Sequence, residues 1–291
     1  MTARRLPPTR WDGRTLDWGV KTYVMAIVNA TPDSFSGDGV AGNPEAALAA
    51  AIAAVEAGAD LIDIGAESTR PGHTPITADD ELARLLPALR AIASRVEIPI
   101  SVDTSKATVA EAALAAGAAL VNDVRGFTAD PELAFVVAAR GVPAVVMHDV
   151  APDGHGDLMT GIVRELSRRL DHALVAGIVW EQLIVDPGFG FGKDWRQNLE
   201  LLRRLDELRV LGRPVLLGAS RKSTIGRVLG LPADDRVEGT TAITALAIAG
   251  GADLIRVHDV PPNVRVARMT DAVVRGAPEV AGTGSAASPI S

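Results

Sequence analysis

Eight short apolar runs, spread along nearly the whole chain, constrain the fold more than any other feature. They read YVMAIV, DLIDI, IPISV, ALVNDV, PAVVMH, QLIVD, PVLLG and DLIRV. Most lack the polar alternation of a strand with one wet face, so both faces must be covered. Helix-length segments rich in Ala, Leu, Arg and Glu separate most of them, including NPEAALAAAIAAVEAG, SKATVAEAALAAG and NLELLRRLDELRVLG. A phrase also repeats: AVEAGADLIDIG, ALAAGAALVNDV and AIAGGADLIRVH each end a helix at a glycine and start a strand at once. The expected fold is α/β, with eight strand–helix units closed as a TIM (β/α)8 barrel. A doubly wound open sheet is the competing layout, and the count of eight favours the barrel. Ahead of the first strand, WDGRTLDWG carries the turn pair Asp12-Gly13 and reads as a short N-terminal hairpin at the barrel's bottom. The expected domains are an N-terminal segment and hairpin over 1–20, a barrel over 21–277, and a disordered C-terminal tail over 278–291, whose AGTGSAASPIS end is small and polar.

A chain of 291 residues is long for an ordinary domain and normal for such a barrel. Its net charge of −7 argues against nucleic acid or an anionic membrane as the main partner. The absence of cysteine excludes disulfides, thiolate nucleophiles and cysteine metal sites. The basic start MTARRLPPTR is not followed by an apolar run, as a secretory signal requires. The Ala-rich stretch from Ala46 is broken by Glu56 and Asp60, too early to span a membrane. A cytoplasmic protein is expected.

Barrel chemistry sits at the C-terminal strand ends, and polar residues collect there. The strands run into NATPDSFSGDG, GAESTRPGHTP, Asp103, Asn122-Asp123, Met147-His148, DPGFGFGK, GASRKS, and Arg256 with His258. Strand alternation turns Arg256 and His258 the same way. Arg256, His258, Arg70, Thr69 and Asn29 suit an anion such as a phosphate or diphosphate. Ser220 is placed to N-cap the helix after the seventh strand. Asp103, Asn122 and Asp186 form a second grouping that seeks a ligand edge rich in N–H donors, with Lys222 nearby to neutralise them or meet an acceptor. Met147, Phe191 and Val124 offer apolar walls. The pocket therefore wants a donor-rich heterocycle with an anionic arm.

Plainer roles compete. Asp103 and Asp186 would also serve as helix caps or partners of Lys222 and Arg256. Phe191 and Met147 would also serve as core, and His148 as a satisfied structural histidine. GFGFG and GASRKS lack the spacing of nucleotide-phosphate loops, and the histidines lack zinc spacing.

The segments MAIVNATPDSFSGDG, GAESTRPG, SVDTSKATVA, NDVRG, DPGFGFGK, GASRKSTIG and RVHDV, in this order, resemble the signatures of dihydropteroate synthases. The resemblance runs from about residue 23 to residue 275. It implies a transferase of folate synthesis that joins 6-hydroxymethyl-7,8-dihydropterin diphosphate to 4-aminobenzoate, giving dihydropteroate and diphosphate. It implies Mg2+ as cofactor, contacted by Asn29. By the same motifs Asp103, Asn122, Met147, Asp186, Lys222 and Arg256 would hold the pterin. Asn29, Thr69, Arg70, Arg256 and His258 would hold the diphosphate. Phe35, Thr69, Pro71, Phe191 and Ser223 would form the 4-aminobenzoate pocket. Asp33, Arg70, Lys222, Arg256 and His258 would carry catalysis, with no enzyme nucleophile. The implied partners are the two small-molecule substrates and a second copy of the chain, a homodimer joined through late helices such as TTAITALAIAGG. The sequence departs from the family pattern in MHDVAPDGHGDLM after the fifth strand, where Asp149 would alter access to the pterin or reshape a rim, and in the position of Asp38. Two other functions remain open: a methyltetrahydrofolate-dependent methyltransferase on the same barrel, which has no use for STRPG, SRK or the Arg256/His258 pair, and a non-catalytic pterin-binding paralogue.

Overall fold

The computed structural model describes residues 6–30, 43–68, 74–152 and 156–276. The first element is the predicted hairpin. Strands β1 (Thr9–Trp11) and β2 (Arg14–Leu16) pair antiparallel with Trp11 opposite Arg14. The loop is thus Asp12-Gly13, and φ is positive at both, 41° and 73°. That is the turn whose twist suits a tight hairpin. Thr9 Oγ1 donates to the Glu181 carbonyl at 2.5 Å and accepts from Trp18 Nε1 at 3.0 Å. Glu181 lies just ahead of a barrel strand, so the hairpin sits against the barrel's N-terminal end.

Eight parallel strands follow: β3 (Tyr23–Asn29), β4 (Leu61–Gly65), β5 (Ile100–Asp103), β6 (Leu120–Asp123), β7 (Ala144–Met147), β8 (Leu183–Asp186), β9 (Leu216–Leu217) and β10 (Leu254–Val257). They neighbour one another in the order β8-β7-β6-β5-β4-β3-β10-β9. The ring then closes: Val185 bridges Val215 in parallel, and the Val185 N–H reaches the Pro214 carbonyl at 2.9 Å. The closed barrel, not the open sheet, is the architecture. Strands β4 to β8 are buried along their full length, as strands covered on both faces must be.

Helices α1 (Pro44–Glu56), α2 (Ala78–Ala93), α3 (Ala107–Ala115), α4 (Glu132–Arg140), α5 (Leu158–Val175), α6 (Trp195–Arg203), α7 (Ser223–Leu229), α8 (Val237–Ala249) and α9 (Val260–Val274) form the outer layer. The repeated phrase is a helix stop with one geometry. Gly58, Gly117 and Gly251 take φ of 96°, 113° and 99°. The next residue's N–H returns to the helix: Ala59 to the Ala54 carbonyl, Ala118 to Ala113 and Ala252 to Ala247, at 2.9, 3.0 and 2.9 Å. This satisfies carbonyls that a helix end would leave bare. Gly177 repeats it with Ile178 donating to Ala173 at 3.0 Å.

The segment NLELLRRLDELRVLG is not the single helix expected. Helix α6 ends at Arg203, and Leu205–Leu211 winds as a 3-10 helix. Leu202, Leu205, Leu208 and Leu211 are all buried. A strict three-residue spacing stays on one face only at three residues per turn. Among the described residues no helix is long and apolar enough to cross a membrane. The expected tail, 278–291, lies outside the described residues.

Candidate active site

Strand pairing aligns four positions across the C-terminal rim. Asn29 pairs with Gly65, Gly65 with Asp103, and Asp103 with Asn122. A Cβ at Gly65 would stand 3.2 Å from the Asp103 Cβ, so glycine leaves Asp103 its room. One layer deeper on β4 is Asp63, fully buried. Its Oδ2 accepts from Arg256 Nε at 2.5 Å and from Asn122 Nδ2 at 3.1 Å. Arg256 Nη2 donates to Asp103 Oδ2 at 2.8 Å. One guanidinium thus straddles two buried acids, which offsets the cost of burying all three. The remaining oxygen of each acid, Oδ1, is buried without a hydrogen-bond partner. Buried acceptors left bare are rare and costly, and here two of them flank the same cation. Burial pushes the Asp103 carboxyl up to about 7 against the pull of Arg256, and the Asp63 carboxylate adds to the rise.

Asp186 ends β8 opposite Met147 of β7. Its Oδ1 accepts the Gly188 N–H at 2.7 Å, and burial raises its pKa. Lys222 Nζ donates to the Phe189 carbonyl at 2.5 Å and lies 3.9 Å from the centre of the Phe191 ring. Burial brings this ammonium down to about 7; Asp186 opposes the fall, while Arg256 and Lys193 add to it. A Cβ at Gly190 would stand 2.5 Å from Lys222 Cδ, so that glycine is what lets the lysine pass. Asp186, Lys222 and Arg256 act on one another electrostatically, which joins this side of the rim to the Asp63–Asp103 side.

The DPGFGFGK loop is cinched from below. Lys193 Nζ, buried, lies 3.3, 3.2 and 3.0 Å from the carbonyl oxygens of His148, Gly188 and Phe191, which share its N–H groups with one further partner. Its Nζ also lies 2.9 Å from His148 Nδ1. An ammonium only donates, so Nδ1 accepts. Burial and the nearby cations hold His148 near 3, hence neutral. His148 is the satisfied structural histidine.

Ser220 does not cap a helix. The cap position of α7 is Lys222, with no side-chain cap bond. Arg221 turns the chain at φ 56°, and Ser220 Oγ instead lies 3.1 Å from the His258 N–H and 3.0 Å from His258 Nδ1. Arg256 and His258 therefore take different partners, because β10 ends at Val257 and the strand alternation stops there. Arg221 pairs with Asp259 at 2.6 Å. Asn29 is half-buried and its carboxamide makes no hydrogen bond among the described residues. Ser223 opens α7 and is exposed. Met147 is buried, and its carbonyl accepts from Arg169. Val124, Phe191 and Asp103 line a cavity of about 580 Å³. Asp149 is paired with Arg169 at 2.7 Å and Arg125 at 2.8 Å, and it lines the same cavity, so it shapes the rim. Asp33, Phe35, Thr69, Arg70 and Pro71 lie outside the described residues.

Sequence reasoning passed over Asp63. The available signal was an acid in the middle of the apolar run DLIDI, on a strand covered on both faces. Among the described residues no group of three or more His, Cys, Asp or Glu is placed to hold a metal ion.

A family model described as pterin binding enzyme matches residues 25–258. The dihydropteroate synthase of Clostridium beijerinckii is 45% identical over 258 residues, covering 88% of this chain and 96% of that one. A crystal structure of the Clostridium difficile dihydropteroate synthase, obtained in the presence of pteroic acid, superposes with a TM-score of 0.85 at 46% identity, over 89% of this chain and 99% of that one. The Xanthomonas albilineans dihydropteroate synthase with 4-aminobenzoic acid gives 0.85 at 42% identity, over 92% and 98%. With matches this long and this complete on both sides, the chain belongs to the dihydropteroate synthases.

Proposed function

We propose that the rim of this barrel condenses 6-hydroxymethyl-7,8-dihydropterin diphosphate with 4-aminobenzoate by dissociative departure of diphosphate. The observation that carries this reading is the pair of buried, unpartnered Oδ1 atoms on Asp63 and Asp103, held by Arg256. A pterin presents ring and amino N–H donors along one edge, which is what two bare carboxylate oxygens lack. Asn122, Asp186, Lys222 and Met147 complete its surroundings. The relatives with pteroic acid and with 4-aminobenzoic acid support the same substrate pair.

The anionic arm would meet His258, Thr69, Arg70 and the Nη1 of Arg256, whose other nitrogens are committed to the two acids. The methylene carbon–oxygen bond breaks and its electron pair leaves on the diphosphate oxygen. The carbon left behind is cationic, and the electron-rich pterin ring and nearby carboxylates, Asp103 and Asp33, stabilise it. The amine nitrogen of 4-aminobenzoate forms the new bond with its lone pair and sheds its proton afterwards, so no strong base is required. Phe35, Thr69, Pro71, Phe191 and Ser223 would hold the 4-aminobenzoate, with Lys222 against Phe191. Asn29 offers a neutral oxygen at the rim, without a partner among the described residues, a donor that fits Mg2+ bound chiefly through substrate phosphates and water. When bound there, Mg2+ would offset charge on the departing diphosphate.

We also propose a homodimer through the late helices, supported by Leu246 on α8 and Met269 and Val273 on α9, which are 58%, 66% and 71% exposed. A diphosphate substrate does not cross a bilayer unaided, which favours a cytoplasmic enzyme. The test incubates the protein with pterin diphosphate, 4-aminobenzoate and Mg2+. Dihydropteroate formed together with diphosphate supports the reading, and diphosphate release with no dihydropteroate formed when both organic substrates are present sinks it.

A further inference from the structure

The signature segments GAESTRPG and SVDTSKATVA contain two charged residues, Glu67 and Lys106, for which the reaction as derived has no use. Both stand at the rim. Lys106 Nζ donates to Glu67 Oε2 at 2.5 Å and to Glu81 Oε2 at 2.6 Å. Glu81 lies in the first turn of α2 and is fully buried. Glu67 Oε1 accepts the backbone N–H of Ile76 at 3.0 Å. One carboxylate thus ties the chain just before residues 68–75 to the chain just after them. Lys106 is itself fixed, because it opens α3, whose Ala107 N–H donates to Asp130 Oδ2 at 2.8 Å. Glu67, Glu81, Lys106 and Asp103 all line the 580 Å³ cavity.

We propose that Glu67, Lys106 and Glu81 form a latch of positioning residues that holds both stems of the loop after β4 in register with Asp103. The proposal rests on the dihydropteroate synthase reading, in which Thr69 and Arg70 of that loop serve the diphosphate arm. Stability alone does not account for the arrangement. Two acids and a lysine drawn from three separate elements would be replaced at little cost by apolar residues of similar volume. A hydrogen-bonded bridge fixes direction as well as distance, and a shift of about 1 Å in a group that positions a reacting arm costs up to about a hundredfold in rate. Burial alone would pull Lys106 down, yet its bonds to the two carboxylates hold it above the ordinary lysine range. Burial raises Glu81 against the hydrogen bonds from Lys106 and Thr104.

The test uses Lys106→Met and Lys106→Arg in the full chain. Lys106→Met should lower kcat by about tenfold, the scale of lost positioning, while the Kd of a pterin lacking the diphosphate stays within about twofold. Lys106→Arg should recover most of the loss. Hydrogen exchange at the Ile76 amide should quicken by about tenfold in Lys106→Met, with or without substrates. Unchanged kcat, unchanged Ile76 exchange, or a pterin Kd that rises in step with the fall in kcat would each overturn the latch. Should the wild type fail to condense the two substrates, the enzyme reading falls, and Ile76 exchange still decides whether Lys106 holds the loop.

Discussion

Asp63→Asn tests the centre of the site with a change of almost no volume. In the native chain Oδ2 serves Arg256 and Asn122, both donors, and Oδ1 is bare. A carboxylate accepts on both sides, whereas an amide accepts on one side and donates on the other. With its oxygen toward Arg256 and Asn122, the asparagine aims an NH2 group where a pterin donor would dock. Flipped, it sets that NH2 group against Arg256 Nε and Asn122 Nδ2. Either way donor opposes donor. Losing a hydrogen bond to a charged group costs about 1.5–3 kcal/mol. The full cost of breaking a buried pair, about 3–5 kcal/mol, is not reached, because Arg256 keeps Asp103. We expect pterin affinity to fall by about 2 kcal/mol, close to 30-fold. Calorimetric titration with a pterin that lacks the diphosphate isolates this term from the anion contacts. Binding within about twofold of wild type would refute the role given to the bare oxygen.

Three further outcomes follow from the same geometry. Asp103 offers an acceptor oxygen to Arg256 and to the proposed pterin at once only when ionised, and its pKa is raised to about 7, so pterin affinity should drop as pH falls through that value, by about tenfold per unit below it. Asp103→Asn should flatten the profile, and an unchanged slope would contradict the assignment. Gly188→Ala should cost more than about 3 kcal/mol in urea denaturation, since φ is 69° and the added Cβ would lie 1.8 Å from the His148 carbonyl oxygen; wild-type stability would show that the loop yields freely. Asn29→Ala should raise the Mg2+ concentration for half-maximal turnover by about tenfold and leave the affinity for a diphosphate-free pterin unchanged, which a titration at fixed substrate checks.

The barrel was legible because each of its rules is local. Unalternating apolar runs announce covered strands, and Gly58, Gly117 and Gly251 sit where a helix must stop. The Asp12-Gly13 hairpin was legible for the same reason. The 3-10 turn over Leu205–Leu211 was missed because a three-residue spacing also occurs along one side of an α-helix, and only packing decides between them. Many residues of the candidate site were readable as polar residues at strand ends. What sequence could not give was pairing. Nothing in DLIDI says that Asp63 meets Arg256 across the barrel interior, and nothing in GASRKS says that Ser220 turns to His258 once Arg221 takes a positive φ. His148 stayed ambiguous until its partner Lys193, far along the chain, came into contact.

The join between β8 and β9 has a consequence of its own. It rests on a single parallel bridge, and β9 is two residues long. Asp186 stands on one lip of that seam and Lys222 on the other. Under the proposed pterin contacts, a ligand gripped by both would lace the ring together at its loosest stitch, so affinity for the ligand and cohesion of the wall would become two readings of one balance. Substitutions that fray this edge would pass unnoticed in a well-fed cell and emerge as loss of protein when the pterin supply runs low.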